Sequence, residues 1–390
     1  MRVTHVITRL IVGGAQENTV ATVLGLGRRP GWEVNLISGP SIGLEGSLAP
    51  ALSGSPVALT ILPQLVRPIH PWKDWIALRR LTELFRGSKP GIVHTHSGKA
   101  GFLGRLAAAK VGLPIIVHTI HGPSFGPFQG PLANTLFKLA ERRAGRVTTH
   151  FVAVADAMIR QYLDAGIGRR EQYSRIVSGF DIGPCLSAVN DPQRRARWGL
   201  APEDIVVGTI ARLYKLKGHE DLFSIAPALL RQCPRIRFLL VGDGAWRARF
   251  ENKARSLGVK QYFVFTGLVD PREIPGLIGI MDIVVHLSRR EGLPRALPQA
   301  LAAARPVVAY DCDGAREVCL ENETGFLLCP GDLPGLTDRV LCLAADAGLR
   351  EKLGKQGRNL VKDEFRVERM IDDLEHLYRR LAGSRGIQSP

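Results

Sequence analysis

No stretch of this 390-residue sequence approaches 18 consecutive apolar residues, so no membrane-spanning helix is expected. The opening "MRVTHVITRLIVGGAQ" lacks the apolar region and small-residue cleavage site of a secretory leader, and reads instead as a short buried strand entering a glycine turn. Cysteine is absent from residues 1–184. The six present (Cys185, Cys233, Cys312, Cys319, Cys329 and Cys342) form no C-x-x-C pair, which points to free thiols in a reducing cytoplasm and not to a disulfide framework. Aromatic residues make up only 6% of the chain, with no basic stripe interleaved with aromatics, so nucleic acid is not an expected partner. No G-x-G-x-x-G run is found, and no acidic residue closes a second strand, so a dinucleotide site is unsupported.

What the chain does have is length for two domains, 45% hydrophobic residues and an excess of basic charge. Of the net +16, +11 falls in residues 1–183, which favours an anionic partner such as a phosphorylated substrate or an anionic membrane surface. Strand-like runs ("THVIT", "EVNLIS", "IVHT", "PIIVHTIH", "HFVAVA") alternate with helix-compatible stretches. The alternation restarts at "IVVGTIA", "RFLLVGDG", "YFVFTGLV", "DIVVHLS" and "RPVVAYD". Strands that alternate with helices imply parallel sheets with crossovers. The polar, Pro- and Gly-containing segment 181–204 reads as the connection between domains. The expected architecture is α/β: two doubly wound, Rossmann-like parallel-sheet domains facing each other across a cleft that holds the ligand. The domains are expected at 1–183 and 184–365, with a C-terminal helix over 366–390 packing back toward the first.

Several short stretches can carry chemistry. Gly13 and Gly14 follow a strand and precede a helix, where backbone N–H groups can approach a phosphate. "VHTH" and "HTIHG" supply His94, His96, His118 and His121. Four imidazoles could bind zinc, but no carboxylate or cysteine accompanies them and His94 and His118 lie within apolar strands, so no metal site is expected. His121, before Gly122 at a strand's end, is the better functional candidate; a loop histidine bonded to backbone is its plainer alternative. In "IARLYKLKGHEDLF", Arg212 ends a strand and Lys217 precedes a glycine that opens a helix. Two cations at a sheet edge suit a diphosphate. Asp243 in "VGDG" reads as a turn former. In "SRREGLPRALPQALA", Pro294 and Pro298 confine the helix start to about residue 295, which places Glu291 just outside the helix and Gln299 about one turn in. With Arg289, Arg290 and Arg295 nearby, Glu291 could equally be a paired surface acid.

Taken in order, "GGAQ", "IVHTHSGKAGFLGRLAA", "HTIHG", "SGFD", "IARLYKLKGHEDLF", "LLVGDG", "FTGLV", "HLSRREGLP", "ARPVVAYDCDGAREV" and "TGFLLCPGD" resemble the retaining glycosyltransferases of family 4, which have the GT-B fold. The resemblance implies transfer of a sugar from a nucleoside diphosphate to a saccharide or lipid-linked hydroxyl, as in cell-surface polysaccharide or glycolipid synthesis, by a cytoplasmic protein at the inner face of the membrane. It implies a UDP-sugar before a GDP-sugar, no cofactor and no metal; no D-x-D run is read in a cleft position. It assigns Gly13 and Gly14 to the diphosphate, and Arg212 and Lys217 to the charge on the leaving group. His121 and Glu291 fall to the sugar, and Gly292, Leu293 and Pro294 to the frame around phosphates and sugar. The family's second glutamate, which takes the nucleotide ribose, is here Gln299. Other occupants of the fold remain open at this point: an epimerase, a phosphorylase, or a non-catalytic nucleotide-sugar binder. "LVRPIHPWKDWIALRRLTELFRGSK" places two tryptophans and six cations at helical spacing, which suits contact with anionic lipid; burial of Trp72 and Trp75 in their own domain is the alternative.

Overall fold

The computed structural model describes residues 1–41 and 46–387. The chain divides into two compact units, Met1–Phe180 together with the chain from Val367 on, and Asp181–Arg366. Each is built on one parallel sheet. In the first, β1 (Arg2–Ile7), β2 (Glu33–Ser38), β3 (Ala58–Ile61), β4 (Ile92–His96), β5 (Ile115–Ile120), β6 (His150–Ala153) and β7 (Tyr173–Arg175) stand in the order β3-β2-β1-β4-β5-β6-β7. In the second, β8 (Ile205–Ile210), β9 (Ile236–Val241), β10 (Phe263–Gly267), β11 (Ile283–His286), β12 (Val307–Tyr310) and β13 (Gly325–Leu328) stand in the order β10-β9-β8-β11-β12-β13. Strand order reverses between β1 and β4 in one sheet and between β8 and β11 in the other. Within each sheet, the loops leaving the C-terminal ends of the two strands at that reversal flank its own switch point, where open α/β sheets hold ligands.

The central strands are almost wholly buried because helices cover both faces; β11 and β12 are nearly continuous apolar runs, whereas β1, β4 and β5 carry buried His and Thr among their apolar residues. The last helix, Val367–Gly383, follows the helical repeat closely: Met370, Ile371, Leu374, Leu377, Tyr378 and Ala382 are buried against Val20, Val23 and Leu26 of helix Gly14–Gly27 and the first sheet. Side-chain bonds fix its register, with Asn18 donating to Met370 Sδ at 2.9 Å and Trp32 Nε1 to Glu375 Oε1 at 3.1 Å.

The composition of 181–204 suggests a connecting loop, but the structure folds it into two short helices, Gly183–Leu186 and Pro192–Arg197, that belong to the second unit. The anchor is Arg195, buried and bonded to Asp282 at 2.7 Å and to the carbonyls of Asp204 (2.9 Å) and Ile280 (3.3 Å). These charge-assisted bonds give the polar segment a specific attachment to the second unit's core.

Candidate functional site

In the second unit the loops after β8 and β11 are stitched together. Leu216 carbonyl accepts from Arg289 N at 2.8 Å and from Ser288 Oγ at 3.2 Å. Gly218, at φ +73°, lies so close to the second loop that a Cβ would sit 2.0 Å from the Leu287 carbonyl oxygen, so only glycine fits. Helix His219–Gln232 starts immediately after it. The loop after β9 packs in the same way, Leu213 N bonding Asp243 carbonyl at 3.0 Å.

This arrangement brings Lys217 and Glu291 together, 74 residues apart in sequence, as an ion pair with both side chains about one-fifth exposed. His286, at the end of β11, places Nε2 3.5 Å from the same carboxylate oxygen, and the Glu291 backbone N–H donates to Asp313 Oδ2 at 2.7 Å. Burial acts to raise the Glu291 pKa, but Lys217 and His286 outweigh it and hold the carboxyl below the usual carboxylate range. Burial pushes Asp313 the other way, upward. Neighbouring His219 is held down to about 4, by burial first and then by Lys217, and is neutral at pH 7. The result is one fixed cation and one fixed anion at a sheet's C-terminal edge.

Arg212 follows β8 as an exposed residue. Gly292, Leu293 and Pro294 are buried in the turn that leads to helix Ala296–Ala302, where Pro298 occupies the first turn. Gln299 is half-buried in that helix, and its side chain makes no hydrogen bond among the described residues. Arg289 pairs with Asp221 at 2.6 Å and not with Glu291. A hollow of about 480 Å3 opens beside the loop, lined by Lys215, Leu216, Gly218, Trp246, Arg249 and Arg289 among others; Arg212, Lys217, Glu291 and Gln299 do not line it. Asp243 accepts from Gly244 N at 2.7 Å and from Arg247 at 3.0 Å, a turn former held by an ion pair. The expectation of no D-x-D run in a cleft position passes over Asp311-Cys312-Asp313, which follows β12 and reaches Glu291 through Asp313. Its carboxylates are committed elsewhere, Asp311 to Arg316 and Asp313 to the Glu291 backbone.

In the first unit Gly13 and Gly14 follow β1, and helix Gly14–Gly27 begins at the second glycine. His121 follows β5 and is half-buried, with Nε2 3.0 Å from His96 Nδ1. His96 Nε2 lies 2.9 Å from His5 Nδ1, while His94 bonds Tyr378 OH and, at 2.6 Å, Thr119 Oγ1. His118 bonds Thr95 Oγ1 at 2.9 Å and packs beneath Gly101. Burial keeps all these imidazoles well below their ordinary pKa, His121 at about 4. Trp72 and Trp75 are not buried in their domain. They are 64% and 46% exposed, stacked at 5.1 Å between centroids, with Arg79 over Trp75. Helix Pro131–Gly145 exposes Leu132, Leu136 and Leu139 along one face, near Lys138, Arg142 and Arg143.

Sequence reasoning singles out Lys217 and Glu291 but passes over His286, Asp313, His5 and Tyr378. The signals it had were a histidine ending an apolar strand in "DIVVHLS" and another inside "THVIT", each indistinguishable from a core residue until its partner is known.

Residues 13–176 match the family model described as "Glycosyl transferase 4-like domain", and residues 190–360 match "Glycosyl transferases group 1". The chain is 27% identical over 357 residues to an Escherichia coli UDP-Gal:alpha-D-GlcNAc-diphosphoundecaprenol alpha-1,3-galactosyltransferase, covering 89% of each chain. It is 30% identical over 260 residues to a GDP-mannose-dependent alpha-mannosyltransferase of Mycobacterium tuberculosis, covering 65% of this chain and 64% of that one. The crystal structure of Anabaena Alr3699/HepE in complex with UDP superposes with a TM-score of 0.81 over 97% of this chain and 100% of that one, at 21% identity, which establishes the fold as GT-B. With two adjoining glycosyltransferase domains matched in order over most of its length, the chain belongs to the glycosyltransferase family that these two models describe.

Proposed function

We propose that the protein transfers a sugar from a nucleoside diphosphate to a hydroxyl of a saccharide or lipid-linked acceptor, with retention of configuration and without a metal, in cell-surface polysaccharide or glycolipid synthesis. The observation that carries the reading is the meeting of Lys217 and Glu291 at the switch point of the second sheet. As the bond between the anomeric carbon and the phosphate oxygen breaks, its electron pair goes to the phosphate. Negative charge grows there, and Lys217 and Arg212 stabilise it, the kind of term that often dominates catalysis. The acceptor oxygen bonds to the anomeric carbon and its proton passes to the departing phosphate oxygen, so no enzymic nucleophile is needed. Glu291, held ionised, accepts hydrogen bonds from the donor's hydroxyls, and His121 bonds the transferred sugar. Gly13, Gly14 and the turn Gly292-Leu293-Pro294 supply backbone groups around phosphates and sugar.

Retention rests on the family resemblance and on the α-linkages named for the E. coli and M. tuberculosis relatives, which transfer with retention leaves when the donor is α-linked. UDP is favoured over GDP by the UDP-Gal of the E. coli relative. The acceptor named for that relative is diphosphoundecaprenol-linked, and the exposed Trp72, Trp75, Leu132, Leu136 and Leu139 beside basic residues suit a protein resting on an anionic cytoplasmic membrane face. The test is a coupled assay over a panel of nucleotide sugars: nucleoside diphosphate release that requires an acceptor supports transfer, and release without one contradicts it.

A further inference from the structure

His5 and His96 are buried, at 0% and 1% exposure, and lie in line with His121. The three rings lie side by side and nearly coplanar, with centroid separations of 5.2 and 5.3 Å and interplanar angles of 13° and 27°, joined edge to edge by the 2.9 and 3.0 Å contacts. Because burial keeps these imidazoles neutral at pH 7, each ring carries one N–H and one lone pair. A chain of that kind has two polarities. In one, every hydrogen points from His5 toward His121; in the other, every hydrogen points inward.

The inner end decides between them. His5 Nε2 is fully buried and has no partner. Under the inward polarity it carries a hydrogen with nothing to accept it; under the outward polarity it carries only a lone pair. A buried N–H without an acceptor is the rarer and costlier orphan. His5 therefore donates from Nδ1 to His96 Nε2, and His96 donates from Nδ1 to His121 Nε2. His121 keeps its hydrogen on Nδ1, which makes no hydrogen bond among the described residues. A metal centre fits the same rings less well. His5, His94 and His96 each offer a nitrogen within 4.8 Å of the others. However, both nitrogens of His94 are engaged by Tyr378 and Thr119, and His5 and His96 nitrogens at 2.9 Å are closer than the roughly 3.3 Å that separates two nitrogens on a tetrahedral zinc.

We propose that His96 and His5 are positioning residues for His121: their hydrogen-bonded chain fixes the ring and holds it as the Nδ1–H tautomer, so that His121 offers a donor, and not a base, to an oxygen of the transferred sugar. The proposal rests on the reading of His121 as a sugar contact. It also explains why a histidine inside β1 and another at the end of β4 sit on one face of the sheet, beneath a residue of the active edge.

The test uses the full chain labelled with 15N-histidine, with His121 assigned from the His121→Asn spectrum. The expected spectrum shows His121 with Nδ1 protonated and Nε2 unprotonated; protonation at Nε2, or averaging of the two nitrogens, overturns the proposal whether or not the protein transfers sugar. Kinetics supply the second readout. His96→Asn keeps an N–H near the Nδ1 position and retains most of the activity. His96→Leu lowers kcat at least about tenfold with donor KM nearly unchanged, short of the hundredfold or more that follows outright loss of a transition-state donor. Equal losses in the two variants mark a packing role and overturn it. Absence of transfer by the wild type fails the functional reading alone, because the tautomer is read independently.

Discussion

Lys217→Met separates the electrostatic account of the site from a packing one. The substitution keeps the stem of the side chain and removes the charge that does most to hold Glu291 ionised. Removing one member of a buried pair costs about 3–5 kcal/mol. With both side chains about one-fifth exposed and His286 still 3.5 Å away, a loss somewhat below that range, about 2–3 kcal/mol, is expected at pH 7. For a unit of this size that is a fall in Tm of roughly 4–12 °C. The sign of the pH dependence follows from Glu291. Its folded pKa lies below the ordinary value, so in the wild type the pair's contribution is present in full above the unfolded carboxylate pKa and is lost as pH falls through the folded one. In the variant burial is left largely unopposed and the carboxyl is pushed up, so it takes a proton earlier. The deficit therefore shrinks by about 1.4 kcal/mol per pH unit below the variant's Glu291 pKa. Scanning calorimetry of both proteins between pH 7 and pH 4 measures it. A deficit of the same size at both ends, or none at pH 7, refutes the reasoning.

Three further outcomes are expected. Gln299→Glu converts a neutral acceptor into a charged one, worth about 0.5–2 kcal/mol if it meets the nucleotide ribose, so UDP affinity rises roughly twofold or more by titration calorimetry, and unchanged affinity removes Gln299 from the site. Gly218→Ala costs more than about 2 kcal/mol by denaturant titration, whereas Gly258→Ala, at φ +69° in open space, shows only the backbone cost of about 1–2 kcal/mol; equal losses would mean the contact with Leu287 does not matter. Trp72→Ala with Trp75→Ala abolishes flotation with anionic vesicles at moderate salt, and absence of flotation by the wild type ends the membrane reading.

The parallel-sheet architecture is legible because its central strands are short, β-branched-rich runs between helical segments, apolar throughout most of the second sheet and interrupted only by His and Thr in the first. The edge strands are not: β3 is four residues with three of them exposed, and β7 is three residues, too short and too polar to stand out. Segment 181–204 misleads for a related reason, since its structure depends on Arg195 finding Asp282, 87 residues away. The site divides in the same manner. Lys217 and Glu291 are visible as charged residues in glycine- and proline-broken loops. His286 and Asp313 acquire meaning only when strand order sets β8 beside β11 and β11 beside β12, and His5 only when β1 pairs with β4. Local spacing records the first kind of residue and carries no trace of the second.

The central claim is that the Lys217–Glu291 edge of the second sheet binds a nucleoside diphosphate. Thermal shift of the wild type and of Lys217→Glu with UDP and GDP tests it most directly. A bound ligand at about 100 times its Kd adds about 2.7 kcal/mol, so UDP should raise the wild-type Tm by several degrees and leave Lys217→Glu unmoved. No shift with either nucleotide, or the same shift in both proteins, contradicts the account.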